Sequence, residues 1–153
     1  MTKTKEPLAT VIVANRNGLN FLKECLLRLE SQTWENLEVI VIDDASSDGS
    51  VEFLKNYRGI RKFFSIFLKE NRGLPHVRNL GYRCSRGQFV AFIDNDGYAS
   101  PEWLKRGIEE LDRNPEAGAI APLVMFSRKP YIINGFGGVL YSDFNGMDLL
   151  YGK

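Results

Sequence analysis

The sequence predicts an α/β protein with a mostly parallel central sheet and helices on both faces. Short β-branched apolar runs alternate with stretches of helical period, the pattern of strands joined by crossover helices. LATVIVA and LEVIVI are apolar at nearly every position, on both alternate sets, as in parallel strands covered on both sides. Each run also ends in a polar cluster, which in such a sheet places the clusters along one edge.

The elements follow in order. LATVIVA (8–14) is the first buried strand, and Asn15 to Gly18 has turn chemistry. A helix is expected over about 20–32, where Leu22, Cys25, Leu26 and Leu29 recur at i, i+3, i+4 and i+7. LEVIVI (37–42) is the second strand, and Ser47 or Asp48 is placed to cap a helix over about 49–57. KFFSIFL (62–68) is the third strand, with Phe63, Phe64 and Phe67 expected in the sheet core, and a helix follows over about 75–85. FVAFI (89–93) is the fourth strand. Ser100-Pro101-Glu102 supplies a cap, a first helical proline and a first-turn acid for a helix ending near Arg113. AGAIAPLVMF (117–126) reads as a fifth strand, and YIINGFGGVLY (131–141) as a strand or hairpin piece broken by glycines.

Composition narrows the class. A chain of 153 residues fits one domain and buries a core without metal or disulfide staples. Lys plus Arg is 20 and Asp plus Glu is 19, a net charge of 20 − 19 = +1. That argues against a nucleic-acid partner bound by bulk electrostatics, and RKFF (61–64) reads as the start of a strand. Cys25 and Cys84, both in expected helices, read as two buried thiols. With His76 the lone histidine, a Cys/His zinc site is excluded. MTKTKEP does not lead into a signal peptide, and no run is long enough to span a membrane. The expected location is the cytoplasm, or the inner face of a membrane in a longer protein.

Ligands of open α/β sheets bind at the carboxyl ends of the strands. Those ends carry Asn15-Arg16-Asn17, Asp43-Asp44, Asn71-Arg72-Gly73 and Asp94-Asn95-Asp96. No P-loop, nucleophile elbow or Gly-x-Gly-x-x-Gly accompanies them. The available donors are carboxylates and amides, which suit Mg²⁺ or Mn²⁺ completed by substrate phosphates, while Arg72 and Arg78 can meet phosphate charge. Taken alone, Asp94 and Asp96 fit a solvated Asp-Gly turn equally well.

VIVANRNG (11–18), SQTWENLEVIVIDDASSDGS (31–50), ENRGLPHVRNLGYRCSRGQFVAFIDNDG (70–97) and SPEWL (100–104) together resemble the N-terminal half of a family-2 glycosyltransferase. The resemblance implies a partial, Rossmann-like GT-A nucleotide-binding fold, with residues 8–126 as the nucleotide-sugar-binding core and 127–153 as the start of an incomplete acceptor-side region. It implies that Asp44 binds the base, and that Ala14, Asn15, Arg16 and Asn17 line base and ribose. Arg16 stands where the family usually has Tyr. Asn71, Gly73, Arg78, Asp94 and Asn95 complete the implied donor site, and Asp96, supported by Asp94, is the implied ligand of Mn²⁺ or Mg²⁺.

The implied partners are a UDP-, dTDP- or GDP-linked sugar and a saccharide or glycolipid acceptor, such as a bacterial surface polysaccharide, with inversion at the transferred carbon. No catalytic residue is identified. Asp143 and Asp148, the acids after residue 126, lack the context of the family's general base, so the base is expected beyond the chain end. Gly135, Gly137 and Gly138 fit either an acceptor-side loop or simple turns. An incomplete unit would expose apolar surface, so self-association is expected. Two other readings remain open: a non-catalytic nucleotide-binding module, and a phospho-acceptor receiver domain. The second is disfavoured because the first strand ends in Asn-Arg-Asn instead of an acidic pair.

Overall fold

The computed structural model describes residues 7–136, 138–140 and 146–148. The chain divides into two compact units, Met1–Arg106 and Gly107–Lys153.

The first unit holds a four-stranded sheet. Its strands are β1 (Ala9–Asn15), β2 (Leu37–Asp43), β3 (Phe63–Phe67) and β4 (Phe89–Asp94), in the order β3-β2-β1-β4. All three pairings are parallel, and the register sets Asn15 beside Asp43 and Ala14 beside Asp94. Every residue of β2 is buried and all but Ala14 of β1, whereas β3 and β4, at the edges, are only partly covered. That is why the two central strands are apolar at almost every position, with the mutually bonded Thr10 and Glu38 as the interior exceptions.

Helices α1 (Leu19–Glu30), α2 (Ser50–Asn56) and α3 (Leu74–Cys84) connect the strands. Val77 of α3 packs with Ile40 and Ile42, flanked by Ala14 and Leu80, so α3 covers the face of the even-numbered β2 residues. Val11, Val13, Val39 and Val41 point to the other face and are wholly buried. α1 and α2 pack together, and α2 lies against β3. The buried residues of α1 are Leu22, Cys25, Leu26 and Leu29, the stripe its sequence predicts. Each fully buried Leu, Ile or Val contributes about 1.5–3 kcal/mol.

Several expectations need correction. Phe64 is 45% exposed and lies under the Arg86 guanidinium, not in the core, because β3 is an edge strand. Cys84 is exposed at the last position of α3; only Cys25 is buried. The helix α4 (Trp103–Arg113) begins after Pro101, and the N–H of Leu104 finds the Gln32 side chain, not Ser100, as acceptor. α2 does begin beside Asp48, which accepts from the N–H of Ser50, but its N-cap residue is Gly49 in the left-handed region.

In the second unit, only Leu123–Phe126 of the expected fifth strand forms one, β5. It pairs antiparallel with β6 (Lys129–Phe136) and joins no parallel ladder. Gly118 and Pro122 interrupt the earlier part of the run; proline cannot donate to a ladder. β7 (Gly138–Leu140) and β8 (Gly146–Asp148) form a second antiparallel pair. Gly135 and Gly138 thus fall in strands; Gly137 and Asp143 lie outside the described residues.

Candidate functional site

The chain runs outward from β1 to β2 and β3, then returns to place β4 on the other side of β1. The β1/β4 boundary is therefore a topological switch point, where loops part and leave a crevice beyond the strand ends. Asn15, Asp94, Asn95 and Asp96 all sit there.

Side-chain hydrogen bonds tie the strand ends together. Asn15 is 2% exposed. Its Nδ2 donates to Asp43 Oδ2 at 2.7 Å and to Ser46 Oγ at 3.3 Å, and its Oδ1 accepts from Asn95 Nδ2 at 2.7 Å. Asp43 Oδ1 accepts from the N–H of Ser46 at 2.8 Å. Both N–H groups of the Asn15 amide are thereby engaged by protein and its oxygen braces Asn95, with one lone pair of that oxygen left for a further donor. A Cβ on Gly18 would collide with the Asn95 amide, so glycine there lets Asn95 reach Asn15.

Asp44 is buried and bridges to the loop after β3. Its Oδ1 accepts from the N–H of Arg72 at 2.7 Å and its Oδ2 from that of Gly73 at 2.9 Å. Gly73 has φ 81 and ψ 159, a conformation essentially reserved for glycine. Asn71 Oδ1 also accepts from Gly73, at 3.1 Å. Ala45, directly after Asp44, is left-handed with φ 60. Each Asp44 oxygen retains a lone pair for a further donor.

Arg16 and Asn17 are exposed on the β1 side. Asn17, with φ 49, accepts from the N–H of Ser47 at 2.8 Å while its own N–H donates to Ser46 Oγ at 2.8 Å. Asp48 joins two helix starts: Oδ2 accepts from the N–H of Leu19, Oδ1 from the N–H and hydroxyl of Ser50. Burial pushes its carboxyl up, but the Ser50 hydroxyl and the two N–H donors outweigh it and hold the group below the ordinary aspartate range.

On the β4 side, Asp94 Oδ1 accepts from Arg78 Nη2 at 2.9 Å. Asp96 is exposed, and its carboxylate accepts no hydrogen bond among the described residues. Beneath this loop the Cys25 thiol reaches the carbonyl of Asp94 at 3.8 Å. Burial, then the charges of Asp96 and Asp94, push that thiol up to about 12. Arg72 is paired with Glu70 at 2.7 Å. Both arginine pairs are exposed and worth at most about 1 kcal/mol, so either guanidinium can turn to a phosphate. His76 is exposed on α3.

Among the described residues, no three His, Cys, Asp or Glu side chains converge as a metal cage. Asp94 and Asp96 offer two hard carboxylates, one with no partner among the described residues, which fits a cation that takes one or two protein ligands and completes its shell with phosphate and water.

Sequence reading pointed at the four clusters but missed the shared network. The signal for Asn15 was an amide closing a mainly apolar strand; Asp48 was legible only as a helix cap and Cys25 only as part of an apolar stripe, and Ser46 carried no signal.

The parallel sheet flanked by helices is an α/β fold of the GT-A kind, shared with solved glycosyltransferases. Residues 10–138 match Glycosyl transferase family 2, and the chain belongs to that family. EpsH of Bacillus subtilis (strain 168), named as a glycosyltransferase, is 35% identical over 100 residues, 65% of this chain and 29% of EpsH. The chain spans about a third of the length of such curated relatives. TarS of S. aureus, solved with UDP-GlcNAc, is 28% identical with a TM-score of 0.65, over 78% of this chain and 38% of that one. The mannosyltransferase PcManGT of Pyrobaculum calidifontis, solved with GDP-Man and Mn2+, is 27% identical with a TM-score of 0.70, over 84% and 38%.

Proposed function

We propose that the crevice beyond β1 and β4 binds the nucleoside diphosphate of a nucleotide-sugar, and that the protein transfers the sugar, with inversion, to a saccharide or glycolipid acceptor such as a surface polysaccharide. The observation that carries this is the exposed Asp94–Asp96 pair at the switch point, braced from below by Asn95 and Asn15. Similar proteins solved with UDP-GlcNAc and with GDP-Man and Mn2+ support it.

In this reading Asp44, held by the loop at Arg72 and Gly73, accepts from the base. Ala14, Asn17 and Asn71 border base and ribose, and Arg16 lies over the base in the place of an aromatic ring. Arg78 exchanges Asp94 for the diphosphate. Asp96, with Asp94, would hold Mn²⁺ or Mg²⁺, which when bound neutralises charge growing on the diphosphate leaving group. Asn15 and Asn95 position this loop and hold it in place before the ligand arrives.

The test is calorimetric titration of UDP, dTDP and GDP into the chain, with Mn²⁺ and then with EDTA. We expect binding of one nucleotide, weakened at least tenfold by EDTA and by Asp96→Ala. A folded chain that binds none of the three with Mn²⁺ present would overturn the reading.

The exposed Leu123, Val124 and Tyr131 support self-association, which a monodisperse monomer in light scattering would refute. No described helix is long and apolar enough to cross a membrane. The proposed location is cytoplasmic, at or near the membrane's inner face, and fractionation of cells expressing the full-length protein checks it.

A further inference from the structure

A second hollow lies on the outer flank of the first unit, between α2 and β3. It has a volume of about 410 Å³ and is lined by Lys55, Tyr57, Arg58, Arg61, Phe63 and Ser65 among others, with no Asp or Glu in its wall. None of the strand-end residues described above borders it.

Its charge is lopsided. From residue 53 to 69 the chain carries Lys55, Arg58, Arg61, Lys62 and Lys69 and not one acid, in a protein whose net charge is +1. Glu30, which touches the wall, is engaged by the Tyr57 hydroxyl. Lys62 turns away to Asn36. Arg58 spends Nη1 on the carbonyls of Lys55 and Tyr57, at 3.0 and 2.7 Å, which keeps its guanidinium on the rim, with its other N–H groups making no hydrogen bond among the described residues. Lys55 sits over the Phe67 ring, 5.7 Å from its centroid, and forms no ion pair among the described residues. Arg61 is exposed and forms neither a hydrogen bond nor an ion pair among them.

Three cations around one concave surface repel each other, and each loses some hydration to the walls. An anion placed between them relieves both costs. Guanidinium and ammonium donors together match phosphate oxygens, the Ser65 hydroxyl adds a neutral donor, and the Tyr57 and Phe63 rings give an apolar wall beside them. We propose that this hollow is a binding site for a phosphate-bearing anion, separate from the strand-end site. The phosphate could belong to a soluble compound or to a lipid headgroup, since the donor set is the same for both.

The full 153-residue chain is titrated with inorganic pyrophosphate in EDTA, and in parallel floated with vesicles of phosphatidylglycerol and phosphatidylcholine or of phosphatidylcholine alone. Binding is expected to at least one anionic probe. It should weaken at least tenfold in Lys55→Gln/Arg61→Gln, while Lys105→Gln/Lys129→Gln, with the same loss of charge, leaves it unchanged. Pyrophosphate binding alone assigns a soluble phosphate; flotation with the anionic vesicles alone assigns a headgroup. Both proteins are checked by circular dichroism, because the substituted side chains are exposed and the fold should persist. No binding to either probe, or equal loss in the two double variants, would overturn the proposal.

Discussion

Asn95 and Asn15 lie 80 residues apart and are joined amide to amide, Asn95 Nδ2 donating to Asn15 Oδ1 at 2.7 Å. Through Asn15 the same bond reaches Asp43, so the end of β4 is fixed to the ends of β1 and β2 before any ligand arrives. Pre-organisation of this kind lowers the ordering cost of binding.

Asn15→Leu removes the strut and, among the described residues, leaves the buried Asp43 carboxylate with the Ser46 N–H alone. Loss of a hydrogen bond to a buried charge costs about 1.5–3 kcal/mol. We expect stability to fall by that amount in urea unfolding, and nucleotide affinity to fall as well because Asn95 loses its anchor. Unchanged affinity in a folded Asn15→Leu protein would remove the positioning role.

Ala45→Gly should stabilise the protein. Ala45 has φ 60, where a Cβ costs on the order of 1 kcal/mol, and glycine gives back part of that through greater freedom in the unfolded chain. The expected gain is about 0.5 kcal/mol, read as a rise in the denaturation midpoint. A loss would show that the Ala45 methyl contributes more packing than its strain costs.

At the opposite end of the sheet, Glu38 is fully buried, accepting from Thr10 at 2.9 Å and from the Arg86 guanidinium and N–H. Burial raises its pKa, but the hydrogen bonds from Arg86 and Thr10 outweigh it and leave the group below its ordinary 4.5. A depressed carboxyl stabilises above the unfolded value and loses that contribution as pH falls through the folded one. Arg86→Met should cost about 2–3 kcal/mol at pH 7, below the range for a fully buried pair because the Arg86 side chain is 63% exposed. The gap between wild type and variant should then narrow below about pH 4; a constant gap down to pH 3 would refute the pairing.

The two thiols should differ in reactivity. Cys84 is exposed, while Cys25 is buried and pushed up to about 12 by burial and by Asp96 and Asp94. Only the thiolate reacts readily. A thiol reagent at pH 8 should modify Cys84 quickly and Cys25 only on unfolding. Rapid double labelling of the native protein would contradict this.

The sequence by itself determined the element order, the parallel sheet and the convergence of four polar clusters. These are local matters: period and β-branching choose helix or strand, and parallel strands necessarily end on one edge. The tertiary structure decided which polar groups face the crevice and which serve one another. Asn15, Asp43 and Asp44 read as equals of Asp96 along the chain, but their partners come from segments 28 to 80 residues away. It also took residues 117–126 out of the sheet, because a strand needs a neighbour to pair with as well as an apolar run, and β5 finds that neighbour in β6. Hydrogen-bond partners at that separation leave no mark in local periodicity, so the division between exposed strand-end carboxylates and buried, braced ones appears only when the strands are assembled.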